Sequence, residues 1–280
     1  MTDRVYGFQD DHHQLIGMVH LGRMVKAQGV RDMEEVEQRA VKDALALAHA
    51  GFDSILLENF GDTPYFPEAA PPHIIAGMTR MGISVRRALV ASDKSHIWVG
   101  VQVLRNDAKG ALGIASAIGA DFVRVNVHAG AMVTDQGIIE GRAYETCPYR
   151  DQCAPGCAIL ADVQVKHASS LGTRGLEEEA ADLVYRAHAD AVILTGGQTG
   201  GAIDVASLAQ TRASLPEARL IAGSGLTLQN LGEILPHVNG LIVGTWVKEK
   251  GLVHNQVDPD RADTFVQAVR RWENSRHPWR

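Results

Sequence analysis

Cysteine is too scarce here to build a disulfide framework: there are three in 280 residues, an odd number. No apolar run approaches the roughly 20 residues that a membrane helix needs. Residues 1–14 are polar and carry no signal-peptide core. There is no Lys/Arg cluster either, and 27 basic against 33 acidic residues leave a formal net charge of −6. A phosphate backbone calls for a basic face, so nucleic acid is not an expected partner. What remains is a cytoplasmic protein that is not integral to a membrane. With 45% hydrophobic residues it can bury a full-sized core.

The pattern of that hydrophobicity predicts the fold. Apolar segments over 15–21, 54–60, 96–104, 122–128, 158–167, 191–196, 220–225 and 240–245 read as strands. Helical patterns separate them, such as Val36, Ala40, Ala44, Leu47 and Ala48 ahead of Gly51. The units recur at intervals of about 30 residues. Alternation of this kind demands a parallel sheet. Eight units in about 250 residues make an α/β fold of the (β/α)8 TIM-barrel type. No linker divides it, so a single domain is expected over 1–280, with a polar extension at 1–14 and a long loop at 129–157. Loops of that length serve as lids or subunit contacts, and a homo-oligomer is expected. The rival doubly wound sheet needs Gly-x-Gly-x-x-Gly after the first strand, and none is there. The run from Gly196 to Gly201 has the wrong spacing and follows the sixth strand.

The inward face of the strands carries the chemistry. Over 122–128, Val123, Val125 and Val127 alternate with Arg124, Asn126 and His128. On the fifth strand the same parity groups Asp162, Gln164 and Lys166. Gln102 joins them from the third strand, Glu58 and Asn59 end the second, and His20 ends the first. Unpartnered buried polar groups cost about 1–3 kcal/mol each against a net stability of about 5–15 kcal/mol. The set must therefore pair internally or line a wet pocket. Arg124 with Glu58 or Asp162, and Lys166 with Glu58, are the purely structural pairings. The catalytic candidates are Lys166, as nucleophile or electrostatic clamp, His128, as proton carrier, Asp162 and Glu58. Glu58 with Asp135 could also hold a divalent metal; no other cofactor is called for.

Two turns point to an anion. Gly223-Ser-Gly225 and Gly244-Thr245 end the seventh and eighth strands, where many barrels hold a phosphate on backbone N–H groups and a helix N-terminus. The expected partner is a phosphorylated small molecule contacting Gly223, Ser224, Gly225, Gly244 and Thr245, with His20, Asn59, Asn126 and Asp135 around it. Cys147, Cys153 and Cys157 share no common metal-site spacing, and a local disulfide or no joint role is the simpler reading.

Several stretches resemble one family. Leu57-Glu-Asn-Phe-Gly-Asp62, Val103-Leu-Arg-Asn-Asp107, Arg124-Val-Asn-Val-His128, Met132-Val-Thr-Asp-Gln-Gly-Ile-Ile-Glu-Gly141, Ala161-Asp-Val-Gln-Val-Lys-His167 and Val243-Gly-Thr245 are similar to those of the BtpA family, over nearly the whole chain. The resemblance implies a phosphate-binding barrel. It also implies kinship with a membrane-peripheral factor of photosystem I biogenesis. The expected function is an enzyme of the lyase, aldolase or isomerase class acting on a phosphorylated sugar or nucleotide-like molecule. The alternative is a non-catalytic biogenesis factor for a membrane complex.

Overall fold

In the computed structural model, residues 12–24, 31–165, 167–196 and 203–276 are described. The chain runs β1 (Gln14–His20), α1 (Arg31–Ala50), β2 (Ser54–Glu58), α2 (Pro72–Ala91), β3 (Trp98–Gln102), α3 (Ala108–Ile118) and β4 (Phe122–Val125). It continues with β5 (Ala131–Thr134), β6 (Gly137–Glu140), α4 (Ala143–Cys153), β7 (Ala158–Val163), β8 (Ala168–Ser170), α5 (Leu176–Tyr185) and β9 (Ala191–Leu194). It ends with α6 (Val205–Ser214), β10 (Leu220–Ala222), α7 (Leu231–Ile234), β11 (Gly240–Val243) and α8 (Pro259–Arg276). Eight strands close in the order β1-β11-β10-β9-β7-β4-β3-β2, and their pairings are all parallel. The (β/α)8 expectation therefore holds.

Strand alternation separates two cores. One row of side chains faces the helices, including Val99, Val101, Val123, Val125, Ile159 and Val192. The other fills the barrel: Ile16, Met18, Leu56, Phe122, Leu160, Ile193, Ile221 and Ile242. Gly100 makes room for this inner layer, since a Cβ there would lie 2.1 Å from the Phe122 ring. Above the apolar plug the inward positions turn polar. The register sets His20 beside Glu58, and Glu58 beside Gln102, on three neighbouring strands.

Residues 129–157 are not one long loop. They hold the β5–β6 hairpin and α4, and β8 extends the hairpin to a small antiparallel sheet of order β6-β5-β8. Met132 and Ile139 pack inward on Val127 and Val165, which is what holds the hairpin down. Among the described residues no helix is long and apolar enough to cross a membrane.

Candidate functional site

At the C-terminal ends of the strands lies a cavity of about 360 Å³. Its walls include His20, Glu58, Arg105, Arg124 and Asn126, together with Gly223, Ser224, Gly225, Gly244 and Thr245. The two glycine turns and the second and fourth strands thus open on one space, as the sequence suggested. Backbone geometry explains the glycines. Gly225 has φ +62°, a left-handed conformation. At Gly223 a Cβ would lie 2.6 Å from Ile193, and at Gly244 one would lie 3.0 Å from the His20 ring. His20 is therefore stacked against the eighth-strand turn, and Phe60 packs edge-on to it at 4.9 Å. Ser224 Oγ accepts a hydrogen bond from Gly196 N at 2.8 Å, tying together the loops after β9 and β10. The helix N-terminus expected at the seventh-strand turn is not adjacent to it: α7 begins only at Leu231 and is one turn long, so the turn presents backbone N–H groups without a helix dipole behind them.

Arg124 and Asp162 form the purely structural pairing foreseen for them. Arg124 Nε and Nη2 donate to Asp162 at 3.1 and 2.8 Å, and Asn126 Nδ2 donates to it at 2.5 Å. Burial opposes the charge on Arg124, but the Asp162 carboxylate outweighs it, and Glu58 adds to the pull, so the guanidinium pKa is raised. Asp162 is thus a buried counter-ion that is not part of this cavity's wall and borders a second cavity instead.

Other sequence-based candidates are placed differently. β7 stops at Val163 and Gln164 has φ +49°, so strand parity does not carry on to residue 166; Lys166 itself lies outside the described residues. His128 leaves the mouth altogether. β4 ends at Val125, and the Asn106 side chain brackets Val127, accepting from its N at 2.8 Å and donating to its O at 2.9 Å. The His128 ring then runs beneath the hairpin, with Nε2 at 3.0 Å from Ala187 O. It borders a separate cavity of about 670 Å³. Asn59 is a brace: its Oδ1 accepts from Leu104 N at 2.7 Å. Asp135 sits exposed at the hairpin turn, where Gln136 donates to it at 2.6 Å; it is not part of the cavity wall, though its charge acts on Tyr65 there.

Sequence reasoning missed Arg105, Tyr65 and Arg261, all of which border the mouth. Arg105 lies past the end of β3 at Gln102, where strand alternation no longer places a side chain. Tyr65 donates to Phe60 O at 2.8 Å. Burial, then the neighbouring Glu58 charge, pushes its phenol pKa up. Arg261 comes from α8, stacks 4.6 Å above Trp246 and donates to Trp246 O at 2.7 Å, a contact no local pattern could foretell. Among the described residues there is no group of three or more His, Cys, Asp or Glu side chains placed to hold a metal. All three cysteines are free; burial pushes the Cys157 thiol up to about 12.

Burial drives the His128 imidazole down from 6.5 to about 4, with Arg150 and His188 opposing its charge further and the Ala187 carbonyl favouring it. The folded protein thus binds this proton less readily than the unfolded chain. Stability should be full above pH 6.5 and decline as the pH falls toward 4, by up to about 3 kcal/mol. His128→Gln should flatten this limb in urea titrations between pH 7 and 4; an unchanged slope would contradict the assignment.

A closed parallel barrel with alternating helices, and with two glycine turns and ionisable strand ends around one mouth, is a (β/α)8 barrel. The chain belongs to the BtpA family, whose profile matches residues 11–271. It is 39% identical over 259 residues to the photosystem I biogenesis protein BtpA of Synechocystis, spanning 92% of this chain and 88% of that one. An uncharacterised protein of Thermococcus kodakarensis is 40% identical over 262 residues, 93% of this chain and 97% of its own. Among solved structures, phosphoribosyl anthranilate isomerase of Thermotoga maritima superposes with TM-score 0.56 at 12% identity, covering 92% of this chain and 99% of that one. The native KDPGal structure does so with TM-score 0.55 at 15% identity, covering 92% and 95%. At such identities the likeness establishes the fold alone.

Proposed function

We propose that the mouth binds a phosphorylated small molecule and acts on it as a lyase, aldolase or isomerase. The observation that carries this reading is the single cavity shared by the two glycine turns and by Glu58 and His20. The Gly223 N–H is committed to Leu194 O at 2.8 Å, so it is the rest of that turn, Ser224–Gly225, together with Gly244–Thr245 that offers N–H groups to a phosphate, with His20 against the second turn. Glu58, next to His20 in register, is the base that takes a proton from the bound molecule, and His20 the group that returns one. Arg105 and Arg124 supply positive potential for the charge that develops. An aldolase route would use Lys166 as the Schiff-base amine.

The test begins with a thermal-shift screen of phosphorylated metabolites, since a ligand that binds only the folded state raises the melting temperature. A compound that does so is incubated with the protein in deuterated water. Proton NMR should show exchange or conversion, and Glu58→Gln should slow it by a factor on the order of a hundred or more while affinity stays within a few-fold. Loss of product with Lys166→Met but not Glu58→Gln would select the aldolase route. A screen with no phosphorylated ligand would contradict the reading.

One observation favours the second reading, a factor in the assembly of a membrane complex. Val133 and Ile138 pair across the β5–β6 hairpin and both are exposed, with Tyr144 and Leu171 exposed on adjoining segments. An apolar sheet face of this kind suits a protein partner, and photosystem I biogenesis is what the Synechocystis relative is named for. Ligand binding without turnover, together with loss of membrane association in Val133→Glu, would favour this role.

A further inference from the structure

Resting on the phosphate reading of the mouth, the hydrogen-bond geometry also says what the other end of the ligand must be. Asn126 is 3% exposed and borders the cavity. Its amide orientation is fixed, because only the NH2 group can face the Asp162 carboxylate, at 2.5 Å. The oxygen therefore turns away from Asp162, and it has no hydrogen-bond partner among the described residues. An amide oxygen with two lone pairs cannot receive a phosphate, so Asn126 is not the phosphate contact suggested by its place on the strand. It is an acceptor that waits for a donor.

A second acceptor stands nearby. Gln102 is 2% exposed, points inward by alternation with Val101 and Val103, and lies beside Glu58 in register. Its Oε1 is likewise buried and without a partner among the described residues, but Gln102 is not part of the cavity wall. The Glu58 carboxylate adds acceptor oxygens on the same side. Two cations also border the cavity: Arg105, and Arg124, which commits Nε and Nη2 to Asp162. The unpartnered acceptor on the wall is therefore Asn126 Oδ1, just past β4, which stands opposite β11 in the barrel.

We infer that the ligand is a phosphorylated polyol or sugar, whose hydroxyl groups donate to Asn126 Oδ1 and to the oxygens around it at the end opposite the phosphate. An alkyl or aryl phosphate does not meet this oxygen. It brings no donor to a buried acceptor that needs one, and leaving it unmet is costly. The reacting carbons then lie between the phosphate and the hydroxyl end, opposite Glu58 and His20.

Calorimetric titration with three probes tests this: inorganic phosphate, ribitol 5-phosphate, and pentyl phosphate, which has the same chain without hydroxyls. The wild-type protein should bind ribitol 5-phosphate about tenfold or more tighter than pentyl phosphate. In Asn126→Leu that preference should shrink to about threefold or less, with the affinity for inorganic phosphate unchanged. A crystal structure of the wild-type protein with ribitol 5-phosphate keeps the test decisive if Asn126→Leu does not fold: a ligand hydroxyl should lie within hydrogen-bond distance of Asn126 Oδ1. Equal binding of the two organic phosphates, a preference that survives Asn126→Leu, or a bound ligand with no hydroxyl on Asn126 Oδ1 overturns the inference and leaves the phosphate reading standing. Failure of all three probes, inorganic phosphate included, removes the phosphate site and this inference with it.

Discussion

Asp162→Leu should destabilise the protein by about 3–5 kcal/mol, because it strands a buried guanidinium. Arg124 is 8% exposed, and its bidentate partner would be replaced by an alkyl group. Asn126 would lose the acceptor of its amide at the same stroke. For a chain of this size the expected fall in melting temperature is on the order of 10 °C. The double variant Arg124→Met/Asp162→Leu should recover most of the loss, since exchanging both members of a buried pair for apolar groups of similar volume is often neutral. Urea unfolding of the four proteins in the cycle measures the coupling directly. A single variant within about 1 kcal/mol of wild type would show that Asp162 is not the counter-ion of Arg124.

Gly225→Asp should lower the affinity for inorganic phosphate by about a hundredfold. The substitution puts a carboxylate beside the anion and a side chain on a residue at φ +62°. Gly232→Asp is the control. Its position in α7 has open space where a Cβ would go, with nothing within 4 Å, and the same added charge there should leave phosphate binding unchanged. An equal loss in both variants would point to net charge alone. No loss in Gly225→Asp would take the turn out of the site.

The barrel was legible in the sequence because its strands are short, apolar and regularly spaced. The inner face was legible as far as the strands run. Alternation placed Arg124, Asn126, Asp162, Glu58 and Gln102 correctly, and the need to neutralise a buried Arg pointed to Glu58 or Asp162, of which the structure pairs Asp162. It failed where the backbone leaves the strand. Val125 and Val163 are the last strand residues of β4 and β7, so parity said nothing valid about His128 or Gln164. The hairpin was hidden for a related reason. Its turn, Asp135-Gln136, lacks the Asn-Gly or Asp-Gly signature of two-residue hairpins, and is held instead by Thr134 Oγ1, which accepts from Gln136 N at 3.1 Å and donates to Gly137 O at 2.9 Å. Contacts between distant segments left no trace at all. Lys248, fully buried, pairs with Asp43 at 2.9 Å across 205 residues of sequence. Burial pulls the Lys248 pKa down against the attraction of Asp43. Nothing near either residue announces the other.

The measurement that bears most directly on the mouth as a phosphate site is a crystal structure grown in phosphate or sulfate. A tetrahedral anion should be held by backbone N–H groups of the turns at Ser224–Gly225 and Gly244–Thr245, with the His20 ring beside it. Anions ordered elsewhere on the molecule, with only water between those two turns, would contradict it.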